Sequence, residues 1–255
     1  VAQASEAVTL ESNVQTVEVN AATTVSVAQN VTVTDLQAKA ATAVDGAGSV
    51  TSATVATTAP VAIGAMTDTV NVSTAEAQVS VDAQVSNVNV SEKATITVET
   101  GAKVETIAST ATGESAVTVT GGGDVQEVIA TTPDAVKVDD SVNGSETAPT
   151  VAQAYKITTE VKNLKGEAVD NAVTTTLPNV AKESASVEFK AAVKAGYELI
   201  SVVEGESTLT AQDGKYTLTM GKADATVTIT VPEQPQWQAV TAGVKATAVA
   251  QNGTA

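Results

Sequence analysis

The side chains whose type and spacing could do chemistry are carboxylates. The chain holds 29 Asp and Glu against 13 Lys, with no His, no Cys and no Arg. Asp139 and Asp140 are adjacent, and Glu204 and Glu206 flank Gly205. The aspartate pair is the candidate for loose Ca²⁺ binding, since hard cations take carboxylate oxygens. Adjacent residues of a strand point to opposite faces, however, so a solvated end of a structural unit is the expected role. Glu204 and Glu206 would share a face, yet the run EGES reads as a hairpin turn. Without His or Cys there is no imidazole base, no thiolate nucleophile and no thiolate metal site. The run Gly121–Gly123 is followed by Asp124 rather than Lys, and no helix is expected there, so it is not a phosphate loop. Nor does it match a calcium-binding nonapeptide, and it reads as a flexible turn that lengthens its unit. A polysaccharide lyase would need basic residues to neutralise an acidic sugar. Residues 1–150 supply only Lys39, Lys93, Lys103 and Lys137. No enzymatic role is expected, and no cofactor apart from the Ca²⁺ candidate.

The elements that must position these groups are built almost without rings. The apolar share is 43 %, mostly Ala and Val. The aromatic residues are Tyr155, Phe189, Tyr197, Tyr216 and Trp237, all beyond residue 150. A core of small and β-branched side chains suits thin stacked sheets. The charge is uneven as well. Residues 1–150 carry 4 Lys and 18 acids, while residues 151–255 carry 9 Lys and 11 acids. Nucleic acid is excluded as an expected partner, because phosphate binding needs a basic footprint. No apolar run approaches the length of a membrane span. The first residue, Val1, is read as a processed or recombinant end.

Internal repeats set the architecture. An apolar beat divides the first part into seven segments: 12–29, 30–48, 49–66, 67–83, 84–102, 103–123 and 124–140. One column of the repeat reads Val14, Val31, Val50, Thr67 or Asp68, Val85, Val104, Val125. A second reads Val17, Thr34, Ala53, Val70, Val88, Ile107, Val128. A third reads Val25, Ala43, Val61, Val79, Ile96, Val117, Val136. Alternation at period two puts Val, Ile and Ala inward and Thr, Ser, Asn, Glu and Lys outward. A unit of roughly 18 residues is too short for a strand and a helix, and suits one coil of a β-solenoid. A β-sandwich is the competing arrangement, but its hairpins call for Asn-Gly or Asp-Gly turns, and this stretch has the single Asp45-Gly46. We therefore expect an all-β chain: a parallel β-solenoid of about seven rungs over 1–142, right-handed because no left-handed hexapeptide pattern is seen.

From 143 to 153 the sequence reads as a linker rich in Gly, Ser and Pro. Residues 154–231 alternate again, in YKITTEV, SVEFKAAV, YELISVV, KYTLTM and ATVTITV. They predict a small antiparallel β domain of five or six strands, with Tyr155, Phe189, Tyr197, Leu199 and Tyr216 as core. Residues 232–255 form a C-terminal extension and possible linking strand. Its Trp237, Val240, Val244 and Val249 are the candidate assembly residues, acting by strand addition to a neighbour.

Within the second domain, Gly196, Tyr197, Val202, Gly214, Lys215, Tyr216, Thr217, Ala223, Asp224, Thr226 and Val227 form a pattern. It resembles the small β modules, or bacterial repeat domains, of secreted Firmicutes cell-wall proteins. The valine-rich rungs resemble the β-helical segments of bacterial surface proteins that carry S-layer homology domains. Both resemblances imply an extracellular, cell-surface location and a structural or adhesive role. The expected function is a self-assembling subunit of a surface layer or extracellular filament. It would form a homo-oligomer or polymer through its ends and terminal segments. The rival expectation is an adhesin or stalk that binds cell-wall glycan.

Overall fold

The structure is a computed structural model that describes residues 7–143, 148–194 and 196–232. In chain order the first part contains β1 (Val8–Leu10), β2 (Val14–Val19), β3 (Thr23–Val27), β4 (Thr32–Ala38), β5 (Thr42–Asp45), β6 (Ser49–Val55), β7 (Val61–Ile63) and β8 (Met66–Val72). It continues with β9 (Ala77–Val81), β10 (Gln84–Val90), β11 (Ala94–Val98), β12 (Lys103–Ser109), β13 (Val117–Thr120), β14 (Asp124–Ala130), β15 (Val136–Val138) and β16 (Val151–Gln153). The odd-numbered strands form one eight-stranded sheet and the even-numbered strands another, each in sequential order. All their pairings are parallel. Each coil thus contributes one strand to each sheet, giving a parallel β-solenoid of about seven turns.

Like residues stack on like. In the even sheet one inward ladder runs Val14, Val33, Val50, Thr67, Val85, Val104, Val125. The next runs Val17, Leu36, Ala53, Val70, Val88, Ile107, Val128, Val151. Two expected members are corrected: Val33 replaces Val31, and Leu36 replaces Thr34. Val31 is still buried, at the turn just before β4. The third column contains slips of register. Val25 stacks on Val44 rather than Ala43, and Ile96 on Val119 rather than Val117. Ala43 faces outward, where its small side chain is half-covered.

Inward residues of the long even strands follow a recurring spacing. In β4 they are Val33, Leu36 and Ala38. Two inward residues three apart break strict alternation. The break falls at the residue between the paired positions, such as Thr34 in β4 and Ser86 in β10, which has no partner in either ladder. An interruption of this kind rotates one half of a strand against the other, which a narrow coil needs in order to close.

Two turns show how tightly coils stack. Gly46 and Gly121 both have φ near +105°. A Cβ at either position would fall on the backbone of the previous coil, at Val27 and Val98. Gly48 and Gly123 donate their amides to the same carbonyls, of Val27 and Val98, at 3.0 and 2.9 Å. The Gly121–Gly123 turn is therefore a close-packed joint and not the flexible spacer expected from its composition. Asparagine side chains stand in for strand backbone at the first and last coils. Asn13 Oδ1 accepts the Thr32 amide at 2.9 Å, and Asn143 Oδ1 accepts the Val125 amide at 2.7 Å.

The second part contains β17 (Tyr155–Lys162), β18 (Val173–Thr175), β19 (Val180–Ala181), β20 (Ser186–Phe189), β21 (Ala191–Val193), β22 (Ser201–Glu204), β23 (Ser207–Thr208), β24 (Tyr216–Thr219) and β25 (Ala225–Thr230). Its five-stranded sheet has the order β19-β17-β25-β22-β23, and two antiparallel pairs, β18-β21 and β20-β24, complete it. The domain is mostly antiparallel, but its first and last long strands, β17 and β25, pair in parallel. Phe189 is buried and stacks on Tyr216 across the β20-β24 pair, with ring centroids 5.5 Å apart. Tyr155 and Leu199 pack against the same core, and Tyr197 is half-buried.

The segment expected as linker is structural at both of its described ends. Asn143, next to the fully buried Val142 of the solenoid core, closes the last coil. Val151–Gln153 is β16, the last strand of the even sheet, and Ala154 alone separates it from β17.

The stacking can be probed at a packed side chain and at a glycine joint. Ile107 sits between Val88 and Val128 with no exposed surface. Ile107→Ala is expected to cost about 2–5 kcal/mol, read as a lower urea midpoint at unchanged m-value. Gly101 and Gly121 both have positive φ, but a Cβ at Gly101 meets nothing within 4 Å. Gly101→Ala should cost about 1–3 kcal/mol for conformation alone, and Gly121→Ala measurably more, because the neighbouring coil must also move. Equal losses would contradict the close-packed joint.

Candidate functional site

Among the described residues the solenoid has three kinds of surface: its coil ends, the outer face of the odd sheet and the outer face of the even sheet. The even face is occupied by the chain itself. Its outward ladder Asp35, Ser52, Thr69, Asn87, Thr106, Glu127 is polar throughout. The neighbouring ladder begins Glu18, Gln37, Thr54, Asn71, Asn89 and then turns apolar as Ala108, Ile129, Ala152. The second domain lies along these ladders. Ala108 and Ile129 join Ala154 and Val180 in a small buried apolar cluster.

Beyond that cluster the contact is polar. The Asn179 amide N–H donates to Asn89 Oδ1 at 3.2 Å, and Asn89 Nδ2 donates to Asn71 Oδ1 at 2.9 Å. Gln15 Nε2 donates to the Val193 carbonyl at 3.1 Å. Three lysines of the second domain meet acids of the solenoid: Lys182 with Glu127, Lys190 with Asp68 at 3.7 Å and Lys194 with Asp35 at 3.4 Å. The last differs from the others in burial. The Asp35 side chain is 7 % exposed and also accepts from Gln37 Nε2 at 3.1 Å. The acidic first part and the lysine-bearing second part thus complement each other within one chain.

The sequence candidates are not drawn into a common site. Asp139 is paired with Lys137 at 3.5 Å, and its backbone carbonyl accepts the Val142 amide in a turn at the last coil. Among the described residues, no group of three or more His, Cys, Asp or Glu is arranged to hold a metal ion. Glu204 and Glu206 flank the turn of the β22-β23 hairpin, with Gly205 at φ +56°. Trp237, Val240, Val244 and Val249 lie outside the described residues. Two exposed groups have displaced ionisation. The Lys39 ammonium hydrogen-bonded to Glu18 holds that carboxyl below its ordinary range, and Glu188 bonded to Lys215 holds that ammonium above its own. Both pairs are solvent-screened and carry little stability.

Sequence reasoning missed the covered even face, although a signal for it existed. Val128-Ile129-Ala130 and Ile107-Ala108 are consecutive apolar residues in strands that otherwise alternate. A strand buried on both faces reads this way.

No helix among the described residues is long and apolar enough to cross a membrane. Comparisons with protein-family models, curated proteins and solved structures find no match. The fold itself defines the class: an all-β protein in which a two-sheet parallel solenoid carries a small, mostly antiparallel domain docked along one flank.

Removing the buried partner should be far costlier than removing the exposed ones. Lys194→Ala leaves Asp35 buried and unpaired, with an expected cost of about 3–5 kcal/mol. Lys182→Ala and Lys190→Ala should each cost about 0–1 kcal/mol. Asp35→Asn in the Lys194→Ala background should restore much of the loss. Thermal melts of the four variants decide this, and three equal single-variant losses would contradict it.

Proposed function

We propose that this chain is a non-enzymatic, secreted structural subunit of a bacterial surface layer or extracellular filament, and that it assembles end to end. The observation that carries the reading is the pair of complementary coil ends. Among the described strands, β1 and β2 edge the two sheets at one end and β15 and β16 at the other, all in the same parallel sense. An unpaired strand edge is a template for another strand. A head-to-tail contact between unlike ends that does not close into a ring gives an open filament. The strongly acidic first part discourages random side-by-side adhesion and leaves the edges as the places where backbone pairing overcomes charge. An adhesin that displays its second domain on a rigid stalk is the rival.

The test is electron microscopy of the purified chain, with one edge blocked. Leu10 directs its carbonyl to the Ala28 amide of the next coil, so in a parallel ladder Thr9 directs its N–H to the open edge. Thr9→Pro removes that donor without touching the coil behind it. Filaments or lattices from the unaltered chain, shortened or lost in Thr9→Pro, are the expected result. Dispersed particles from the unaltered chain at all concentrations, or assemblies unaffected by the proline, would overturn end-to-end assembly.

A further inference from the structure

We infer that the groove between the even sheet and the second domain is a binding site for a neutral, polyhydroxylated ligand, a short saccharide. Such a site is separate from the structural role and does not depend on assembly. The groove is an open cleft of about 370 Å³, a volume within the range of small-molecule pockets. Its lining is unusually rich in carboxamides: Gln37, Asn71 and Asn89 from the solenoid, and Asn171 and Asn179 from the second domain. Ser52, Thr54, Thr159 and Thr174 add hydroxyls, and Leu177 with Pro178 forms an apolar wall.

This chemistry selects a class of ligand. A carboxamide offers two N–H donors and a carbonyl acceptor, and a sugar hydroxyl both donates and accepts. Asn71 and Asn89 are held in place by their neighbours and retain free donor capacity. Asn89 Nδ2 donates to Asn71 Oδ1 at 2.9 Å, and Asn71 Nδ2 donates to Ser52 Oγ at 3.3 Å. Each of these bonds uses one of two N–H groups. Asn179 Nδ2 donates to the Val90 carbonyl at 3.4 Å, while its Oδ1 is buried with no hydrogen-bond partner. Buried carbonyls of this kind are ordinarily satisfied, so the chain alone does not complete the network.

Charge argues for a neutral ligand. The groove contains one acid and one base, Asp35 and Lys194, and they neutralise each other at 3.4 Å. Nothing cationic is left over to hold a uronate or a phosphate, and the surrounding solenoid is acidic. The sheet supplies a fixed floor, because four of the groove's polar side chains stand on consecutive rungs of one ladder, Gln37, Thr54, Asn71 and Asn89. The repeat of about 4.8 Å between rungs presents hydrogen-bonding groups at intervals comparable to those along a sugar chain.

The test uses the full chain labelled with ¹⁵N and titrated with glucose, N-acetylglucosamine and N,N′-diacetylchitobiose, with glucuronate as the anionic comparison. At millimolar saccharide, the side-chain NH₂ signals of Asn71, Asn89 and Asn171 should shift for at least one neutral sugar and not for glucuronate. Asn71→Ala should weaken that binding about tenfold, and Gln78→Ala on the opposite sheet should leave it unchanged. If Asn71→Ala does not fold, the shift map of the unaltered chain decides alone. No shift with any of the three neutral sugars, shifts confined to other surfaces, or stronger response to glucuronate would each overturn the assignment.

Discussion

Parallel strands stacked in register repeat every ~4.8 Å along the coil axis, and every inward side chain must share that interval with its copies above and below. Valine, alanine and isoleucine fill such a column without gaps. The ladder through Val17, Leu36, Ala53, Val70, Val88, Ile107 and Val128 shows the compensation this demands, with the small Ala53 standing beside the larger Leu36. The same constraint accounts for the glycine joints. Where two coil corners approach too closely for any Cβ, at Gly46 over Val27 and Gly121 over Val98, the chain has no side chain at all. It also accounts for the distribution of aromatic residues. Phe189 and Tyr216 find room in the second domain, where strands splay around an ordinary core.

Stacking creates the surfaces on which the rest of the molecule depends. Outward columns stack as the inward ones do, so a face takes its character in stretches several coils long. The even face is a strip of hydroxyls, amides and acids that ends in Ala108, Ile129 and Ala152, and the second domain is matched to both halves of it. Val180 and Ala154 cover the apolar end. Lys194 neutralises Asp35 in the middle of the strip. The direct continuation of β16 into β17 through Ala154 ties the second domain to the last coil with no slack. Rod and domain are thus joined by a shared strand, an apolar contact and a charge match.

Much of this was legible in the chain. The seven beats, the coil length of roughly 18 residues and the inward valines needed only periodicity, and Val50, Val85, Val104 and Val125 fall in their columns as read. The slips are informative. Val31 and Val33 are both inward and buried, so an apolar residue alone does not say which of them meets Val14. Ala43 reads as core because alanine is apolar, but it carries too little surface to specify a face, and its neighbours Thr42 and Val44 point in. Val117 and Val119 share a face two residues apart, and periodicity of two cannot separate them. Pro149 and the polar residues around it made 143–153 look like a linker, although three residues at its end complete a sheet. The parallel pairing of β17 with β25 joins residues about 68 positions apart, and no local pattern specifies such a closure. The groove was not legible at all. Its amides come from separate rungs and a second domain, and only the docking brings them together.

End-to-end assembly requires the coil axis to be the axis of the filament. Fibre diffraction from aligned assemblies of the purified chain tests this most directly. The prediction is a strong reflection near ~4.8 Å on the meridian, along the filament axis. That reflection on the equator would place the coils across the filament, and its absence would remove the stacked coils from the assembly. Either result would contradict end-to-end stacking.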